Sequence, residues 1–125
     1  MTKTISRANL DGTGVRQSFI TGTSNAGGCC AFDANHIYWG QSGPNLDGIS
    51  IGRANLDGTG VNEHLIASPG ITAIAVSNGH IYWTTGLGTG LTGSGAIGSA
   101  NIDGTHINAK LIHIAGDPFG LTVGP

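Results

Sequence analysis

The 125-residue sequence predicts an all-β protein built from repeated units of four antiparallel strands. Three observations support this prediction. A six-residue motif, Arg/Ser-Ala-Asn-Leu/Ile-Asp-Gly, recurs at intervals of 46 residues, starting at Arg7, Arg53 and Ser99. Short apolar runs alternate with Asn, Asp and Gly residues that favour turns. Glycine is abundant, with 23 residues, while strong helix formers such as Glu and Lys are scarce.

Within one unit, four strands are predicted to follow one another along the chain. The first covers residues 29–33 and again 73–77, the second 36–40 and 80–84, the third 49–55 and the fourth 62–67. The third strand carries apolar or small residues on both faces, so we expect each sheet to be covered by another sheet on either side. The predicted units, all in a single domain, span approximately residues 3–28 (partial), 29–70, 71–116 and 117–125 (partial).

The composition excludes several classes of partner. The net charge is −2 and only five residues are Lys or Arg, too few to neutralise several phosphates. Nucleic acids and anionic membranes are therefore not expected as partners. No apolar run approaches the roughly 20 residues of a membrane-spanning helix, and the amino end lacks the layout of a secretion signal. The neighbouring Cys29 and Cys30 are expected to be two buried thiols, because adjacent side chains in a strand point to opposite faces.

Repeats of roughly 40 to 50 residues with four strands each are typical of β-propeller blades. The unit here orders an apolar strand, Ile-Tyr-Trp at 37–39 and 81–83, then Arg-Ala-Asn-Leu-Asp-Gly, then Leu-Ile. This order resembles the YWTD repeat of low-density lipoprotein receptor-type β-propellers and their bacterial relatives, over nearly the whole chain. The resemblance implies a ring of six blades. It also makes a secreted protein one possible localisation, which the sequence leaves open. Gly40-Gln41 and Thr84-Thr85 follow the Tyr-Trp pairs, so the aspartate that the family places there, and the interblade bonds it implies, are not expected.

Eleven strands are predicted in total, opened by Ile5–Asn9 and closed by Phe119–Val123, which amounts to about three blades. A propeller closes only when its last blade meets its first, and a partial ring would expose apolar faces. One hypothesis is a homodimer that closes a six-bladed ring. The blade at each junction would then combine strands from two chains, and it would lack its second strand. The alternative is that the chain is part of a longer propeller.

The expected function is a non-enzymatic scaffold or recognition module that binds a protein, peptide or glycan. Binding is expected at the long-loop end, the end of the units that carries the long connections 21–28, 41–48 and 85–95, since binding residues concentrate on loops held by a rigid scaffold. The candidate ligand-binding residues are Trp39, Gln41, Ser42, Asn45 and Thr85. Structural roles are expected for the repeat positions Trp39, Trp83, Asp11, Asp57 and Asp103. In this interpretation the tryptophans pack between blades and the aspartates hold turns. A lectin with sugar pockets between blades, using the tryptophans, is the alternative.

A hydrolase or lyase acting at the channel mouth is a third hypothesis, and the residues give it little support. Every aspartate has a turn role available, Glu63 is the single glutamate, and no serine lies in a nucleophile motif. No catalytic residue is therefore assigned. The histidines lack the spacing of a zinc site and the Asp-Gly-Thr-Gly turns lack that of a calcium loop, so no metal or cofactor is predicted.

Overall fold

The computed structural model describes residues 3–23, 26–42, 48–86, 94–115 and 120–124. These residues form strands and turns without a helix, as predicted, so none of them belongs to a helix that could cross a membrane. The strands are β1 (Lys3–Arg7), β2 (Arg16–Thr23), β3 (Ala26–Phe32), β4 (His36–Ser42), β5 (Gly48–Asn55), β6 (Asn62–Ala67), β7 (Ile71–Ser77), β8 (His80–Thr85), β9 (Ser94–Asn101) and β10 (Asn108–Ala115).

The strands form three antiparallel sheets, each made of consecutive segments of the chain. The first sheet pairs β1 with β2, the second has the order β3-β4-β5-β6, and the third has the order β7-β8-β9-β10. The predicted succession of four strands in a complete unit is therefore confirmed. The first sheet contains the third and fourth strands of a unit, because β1 carries the same motif as β5 and β9.

The predicted closing strand is wrong over the residues that the structure describes. Residues 120–124 adopt no strand, and Phe119 lies outside the described residues. A strand needs a neighbour to accept and donate its backbone hydrogen bonds. None of the described strands pairs with this segment, although it alternates apolar and small residues as a strand would.

The apolar core is divided between two seams, where successive sheets pack on one another. The first seam, between the first and second sheets, buries Ile5, Phe19, Ile20, Ile37, Trp39 and Ala54. The second seam, between the second and third sheets, buries Ala31, Tyr38, Ile51, Ile66, Ile81, Trp83 and Ala100. Side chains alternate between the two faces of a strand, so the neighbours Tyr38 and Trp39 enter different seams. The middle sheet is thereby covered on both faces.

Each repeated motif ends in the same turn. In the first copy, Oδ1 of Asp11 accepts hydrogen bonds from the Thr13 backbone N–H at 2.9 Å and from the Thr13 hydroxyl at 2.6 Å. Both hydrogen bonds lower the pKa of Asp11, and the bond from the hydroxyl has the larger effect. Asp57 and Asp103 accept the same pair of bonds in their turns, and their pKa values are lowered for the same reason. Gly12 has φ +83°, a left-handed conformation that glycine adopts without strain. The turns thus use the aspartates structurally.

One expectation about the cysteines is wrong. Cys30 is disulfide-bonded and half-buried, so it is not a buried thiol. The expectation rests on the strain of a bridge between neighbouring side chains that point to opposite faces, which assumes regular alternation along this strand. The register of β3 against β4 shifts between Gly28 and Ala31, and the segment between them is irregular, so neighbouring side chains need not point to opposite faces there. The side chain of Cys29 lies outside the described residues.

Candidate functional site: the two seams

Each tryptophan of the Tyr-Trp strands lies on a glycine of the neighbouring strand. Trp39 is paired with Gly52 and Trp83 with Gly98. A Cβ atom on Gly52 would lie 2.5 Å from Cε2 of Trp39, and one on Gly98 would lie 2.4 Å from Cε2 of Trp83. Both tryptophans have no exposed surface. Their ring faces are therefore covered in the seams and do not form a surface platform for a sugar.

The two indole N–H groups find different acceptors. Nε1 of Trp39 donates to Oε1 of Gln41 at 3.0 Å, whereas Nε1 of Trp83 donates to the hydroxyl of Ser68 at 3.1 Å. The residue at the Ser68 position of the first unit is Gly22, which has no side chain to accept a bond. Gln41, fully buried, supplies that acceptor. Its Nε2 has no hydrogen-bond partner among the described residues.

Arginine side chains connect each sheet to the turn of the next unit. Nη1 of Arg7 donates to the backbone carbonyl of Leu56 at 3.2 Å, and Nη1 of Arg53 donates to that of Ile102 at 2.8 Å. Bonds with a charged donor are stronger than neutral ones. The third copy of the motif has Ser99 at this position. The same contact therefore builds both seams, and the last sheet lacks the donor.

Tyr38 fills part of the second seam and anchors a polar network at its edge. Its hydroxyl donates to Oδ2 of Asp33 at 2.7 Å. Burial raises the pKa of the phenol, and the bond to the carboxylate raises it further. Partial burial acts to raise the pKa of Asp33, but the hydrogen bonds from Tyr38 and from the backbone N–H groups of Asn35 and His36 outweigh it and lower the pKa. In the third sheet Ser77 stands where Asp33 would be, so the network is confined to the second unit.

The first seam contains a groove of about 450 Å³ beside the open edge of β1. We name it the β1 groove; it is lined by Ser6, Arg7, Ala8, Phe19, Phe32, Ile37 and Leu56. It is mainly apolar, and the side chain of Phe32 is 58% exposed. Arg7 and Arg16 lie directly opposite one another in β1 and β2, and both guanidinium groups stand over the Phe19 ring, at 5.3 and 5.5 Å from its centre.

A second cavity, of about 300 Å³, lies at the end of the third sheet from which its long loop leaves. Its lining includes Thr85, Lys110 and His113 beside Pro69 and Ala96. Thr85 is half-buried, and its hydroxyl donates a hydrogen bond to the Ala96 carbonyl at 3.4 Å. This cavity lies at the end of the sheet where the sequence predicts recognition.

The structure brings together only part of the predicted ligand-binding set. Trp39 and Gln41 contact each other, but both are fully buried, and Thr85 belongs to a different sheet. Asn45 and the side chain of Ser42 lie outside the described residues. Sequence reasoning missed the β1 groove. The signals for it were the Phe32 that replaces the smaller Val76 of the next unit, and the Ser6 that replaces the Gly52 and Gly98 of the other units.

Comparison with known proteins does not identify a family. No family model matches the chain, and neither curated proteins nor solved structures give a match.

Proposed function

We propose that this chain is a non-enzymatic recognition module whose sheets are blades of a β-propeller of the YWTD type. The observation that carries the proposal is the repetition of one seam. The arginine-to-carbonyl bond occurs twice with the same 49-residue offset, from Arg7 to Leu56 and from Arg53 to Ile102. Sheets that stack through an identical contact continue in one direction of rotation, as propeller blades do.

We further propose that a second copy completes the ring. The outer face of the third sheet repeats the residues that the second sheet buries against its neighbour. Ile66 has no exposed surface, while its equivalent Ile112 is 51% exposed. At the other end, Leu10 is fully exposed, although its equivalent Leu56 packs against the first seam. Each terminal sheet thus exposes one half of a contact that the chain makes internally, and burial of such faces favours association.

Recognition is assigned to the long-loop end. The cavity beside Thr85 offers a cation, Lys110, and an imidazole, His113, on a rigid sheet. A preorganised surface of this kind loses little conformational entropy on binding a protein or peptide. Trp39 and Trp83 are fully buried, which supports a protein or peptide as the ligand over a sugar stacked on a tryptophan.

The native mass in solution tests self-association. Light scattering after size exclusion should give twice the chain mass of 12.5 kDa for a homodimer. Ile112→Lys should shift the mass to that of one chain, because a charge would enter the apolar contact. Val61→Lys is the matched control, since Val61 remains 40% exposed in the middle unit. A mass of 12.5 kDa at every concentration would contradict the dimer.

A further inference from the structure

We propose that the β1 edge and its groove bind an extended segment of a different polypeptide, which adds to β1 as a strand and places a tyrosine opposite Arg7. This inference rests on the recognition role proposed above, but it does not depend on self-association. Strand addition to an open edge is a recurring mode of peptide recognition, in which backbone bonds give affinity and side-chain pockets give specificity.

The open edge has a defined counterpart in the other two sheets. β5 and β9, which carry the same motif as β1, each pair on one side with the fourth strand of the unit and on the other with β4 or β8. β1 pairs with β2 alone among the described strands. Its free edge therefore corresponds to the place of a Tyr-Trp strand.

The β1 groove corresponds to the place of a tyrosine side chain. The repeat equivalents of its lining residues Arg7, Phe19, Phe32, Ile37 and Leu56 are Arg53, Leu65, Val76, Ile81 and Ile102. In the second seam these equivalents surround Tyr38, which is paired with Arg53 and shares a buried cluster with Ile81, against which Val76 and Ile102 pack. None of the described residues places a tyrosine at the equivalent position of the first seam, and Phe32 stays 58% exposed.

The electrostatics of the groove suit an electron-rich ring. Arg7 and Arg16 are like charges at directly opposed positions, an unfavourable pairing, and no described acidic side chain forms an ion pair with either. The face of a tyrosine ring attracts a nearby guanidinium, and its phenol oxygen can accept a hydrogen bond from one.

A backbone contact fixes the register of the added strand. The N–H of Leu56 donates to the Asn35 carbonyl and that of Ile102 to the Gly79 carbonyl, both at 3.1 Å. In each case the acceptor lies three residues before the tyrosine of the Tyr-Trp strand. No described backbone carbonyl accepts from Leu10, the equivalent donor of the first unit. A carbonyl three residues before the bound tyrosine would satisfy it.

Ser6 restricts the residue that follows the tyrosine. In the other two sheets that residue is a tryptophan lying on glycine, where a Cβ would come within 2.5 Å of Trp39. Ser6 brings such a Cβ, so a small residue must follow the tyrosine of the bound strand. A second copy of this chain does not meet that requirement, since both of its tyrosines precede tryptophans and lie in central strands. The bound strand is therefore one that residues 1–125 do not contain.

The probe is a blocked peptide with the sequence of residues 33–41 in which alanine replaces Trp39, titrated into the full chain by calorimetry. The same peptide carrying Tyr38→Ala should bind at least about tenfold more weakly, because the aromatic anchor is lost. The chain variant Phe32→Glu should weaken the tyrosine peptide by a similar factor. Val15→Glu, at a site 60% exposed outside the groove, should leave binding unchanged.

A gain of binding provides a test that unfolding cannot imitate. The peptide that retains Trp39 should bind the wild-type chain weakly, and Ser6→Gly should restore its binding to the level of the peptide with alanine at position 39. Equal affinities for the peptides with tyrosine and with alanine at position 38, or no detectable binding of the peptide with Tyr38 and alanine at position 39, would overturn the inference. Light scattering on the same samples reports self-association separately, so a dimer that fails to discriminate the peptides refutes the groove assignment alone.

Discussion

Gly98→Ala tests the packing of tryptophan on glycine that builds both seams. The added methyl group would lie 2.4 Å from Cε2 and 2.5 Å from Cζ2 of Trp83, closer than Cβ atoms approach ring atoms. Trp83 has no exposed surface and its indole N–H is held by Ser68, so the ring cannot move without losing contacts. Overpacking of this kind costs about 1 to 3 kcal/mol.

Two effects must be separated to obtain the net change in the free energy of unfolding. Alanine is favoured over glycine inside a strand by about 0.5 to 1 kcal/mol, which offsets part of the steric cost. We therefore expect Gly98→Ala to destabilise the chain by about 0.5 to 2 kcal/mol. Ser6→Ala is the control at the equivalent position of β1: no tryptophan of the described chain lies on Ser6, and the substitution removes only the exposed hydrogen bond from its hydroxyl to the Gln17 carbonyl.

A double-mutant cycle with Trp83→Ala decides the cause. Trp83→Ala alone should cost about 3 to 5 kcal/mol through the cavity it leaves. In that background the clash disappears, so Gly98→Ala should become stabilising by about 0.5 to 1 kcal/mol. Urea denaturation followed by circular dichroism measures all four chains. If Gly98→Ala costs the same with and without the tryptophan, the ring does not lie on the glycine; Trp83→Leu supplies the cycle if the alanine variant does not fold.

Three further predictions follow from the seams and turns. Arg53→Met should lower the free energy of unfolding by about 1 to 2 kcal/mol. Arg7→Met should lower it by less, because the Arg53 bond is partly buried whereas the Arg7 bond is exposed. Equal losses in urea titrations would show that burial does not distinguish the two bonds. Gly58→Ala should destabilise the chain more than Gly12→Ala. Both glycines have positive φ, but a Cβ on Gly58 would lie 2.6 Å from the Phe19 carbonyl oxygen, whereas one on Gly12 would meet open space. Equal melting temperatures of the two variants would argue against the contact between Gly58 and Phe19. Because the folded pKa of Asp33 is lowered, its stabilising effect is present above its unfolded pKa of about 3.9 and is lost as the pH falls through the folded pKa. Asp33→Asn should reduce this acid dependence, measured as stability against pH, and an unchanged slope would show that the carboxylate contributes nothing.

The repeat made the strand order predictable, because the same apolar runs and turn residues occur in each unit. The strand at 62–67 has the predicted bounds. The strands predicted at 29–33, 36–40, 49–55, 73–77 and 80–84 are each found with one or both ends displaced by one to three residues. The irregular register around Cys30 was not predictable, since alternation says nothing about where a strand takes up an extra residue. The strand expected at the carboxyl end was wrong for a related reason: its sequence pattern is favourable, but its existence depends on a neighbour.

The site was harder to predict than the fold, because it depends on which strand stands beside which. The sequence predicts Trp39 and Gln41 as ligand residues because of their chemistry. In the structure they satisfy each other, since the Gln41 amide oxygen accepts the indole N–H of Trp39. Sequence alone does not tell an amide that faces a ligand from one that faces a neighbouring side chain.

The positions where the repeat changes carry more information than those where it is kept. Glycine occupies the third strand wherever a tryptophan lies beside it, at 52 and 98, and serine occupies it at 6, where the described chain has no such tryptophan. A glycine kept at position 6 would cost backbone entropy without relieving any contact. Arginine is likewise present where a following turn offers its carbonyl, and Ser99 replaces it in the last unit. Both exceptions fall on the first and third sheets, at positions where the described residues supply neither the tryptophan nor the turn carbonyl. The proposed strand, with a tyrosine and a small residue after it, is the neighbour that Ser6 accommodates at the β1 edge.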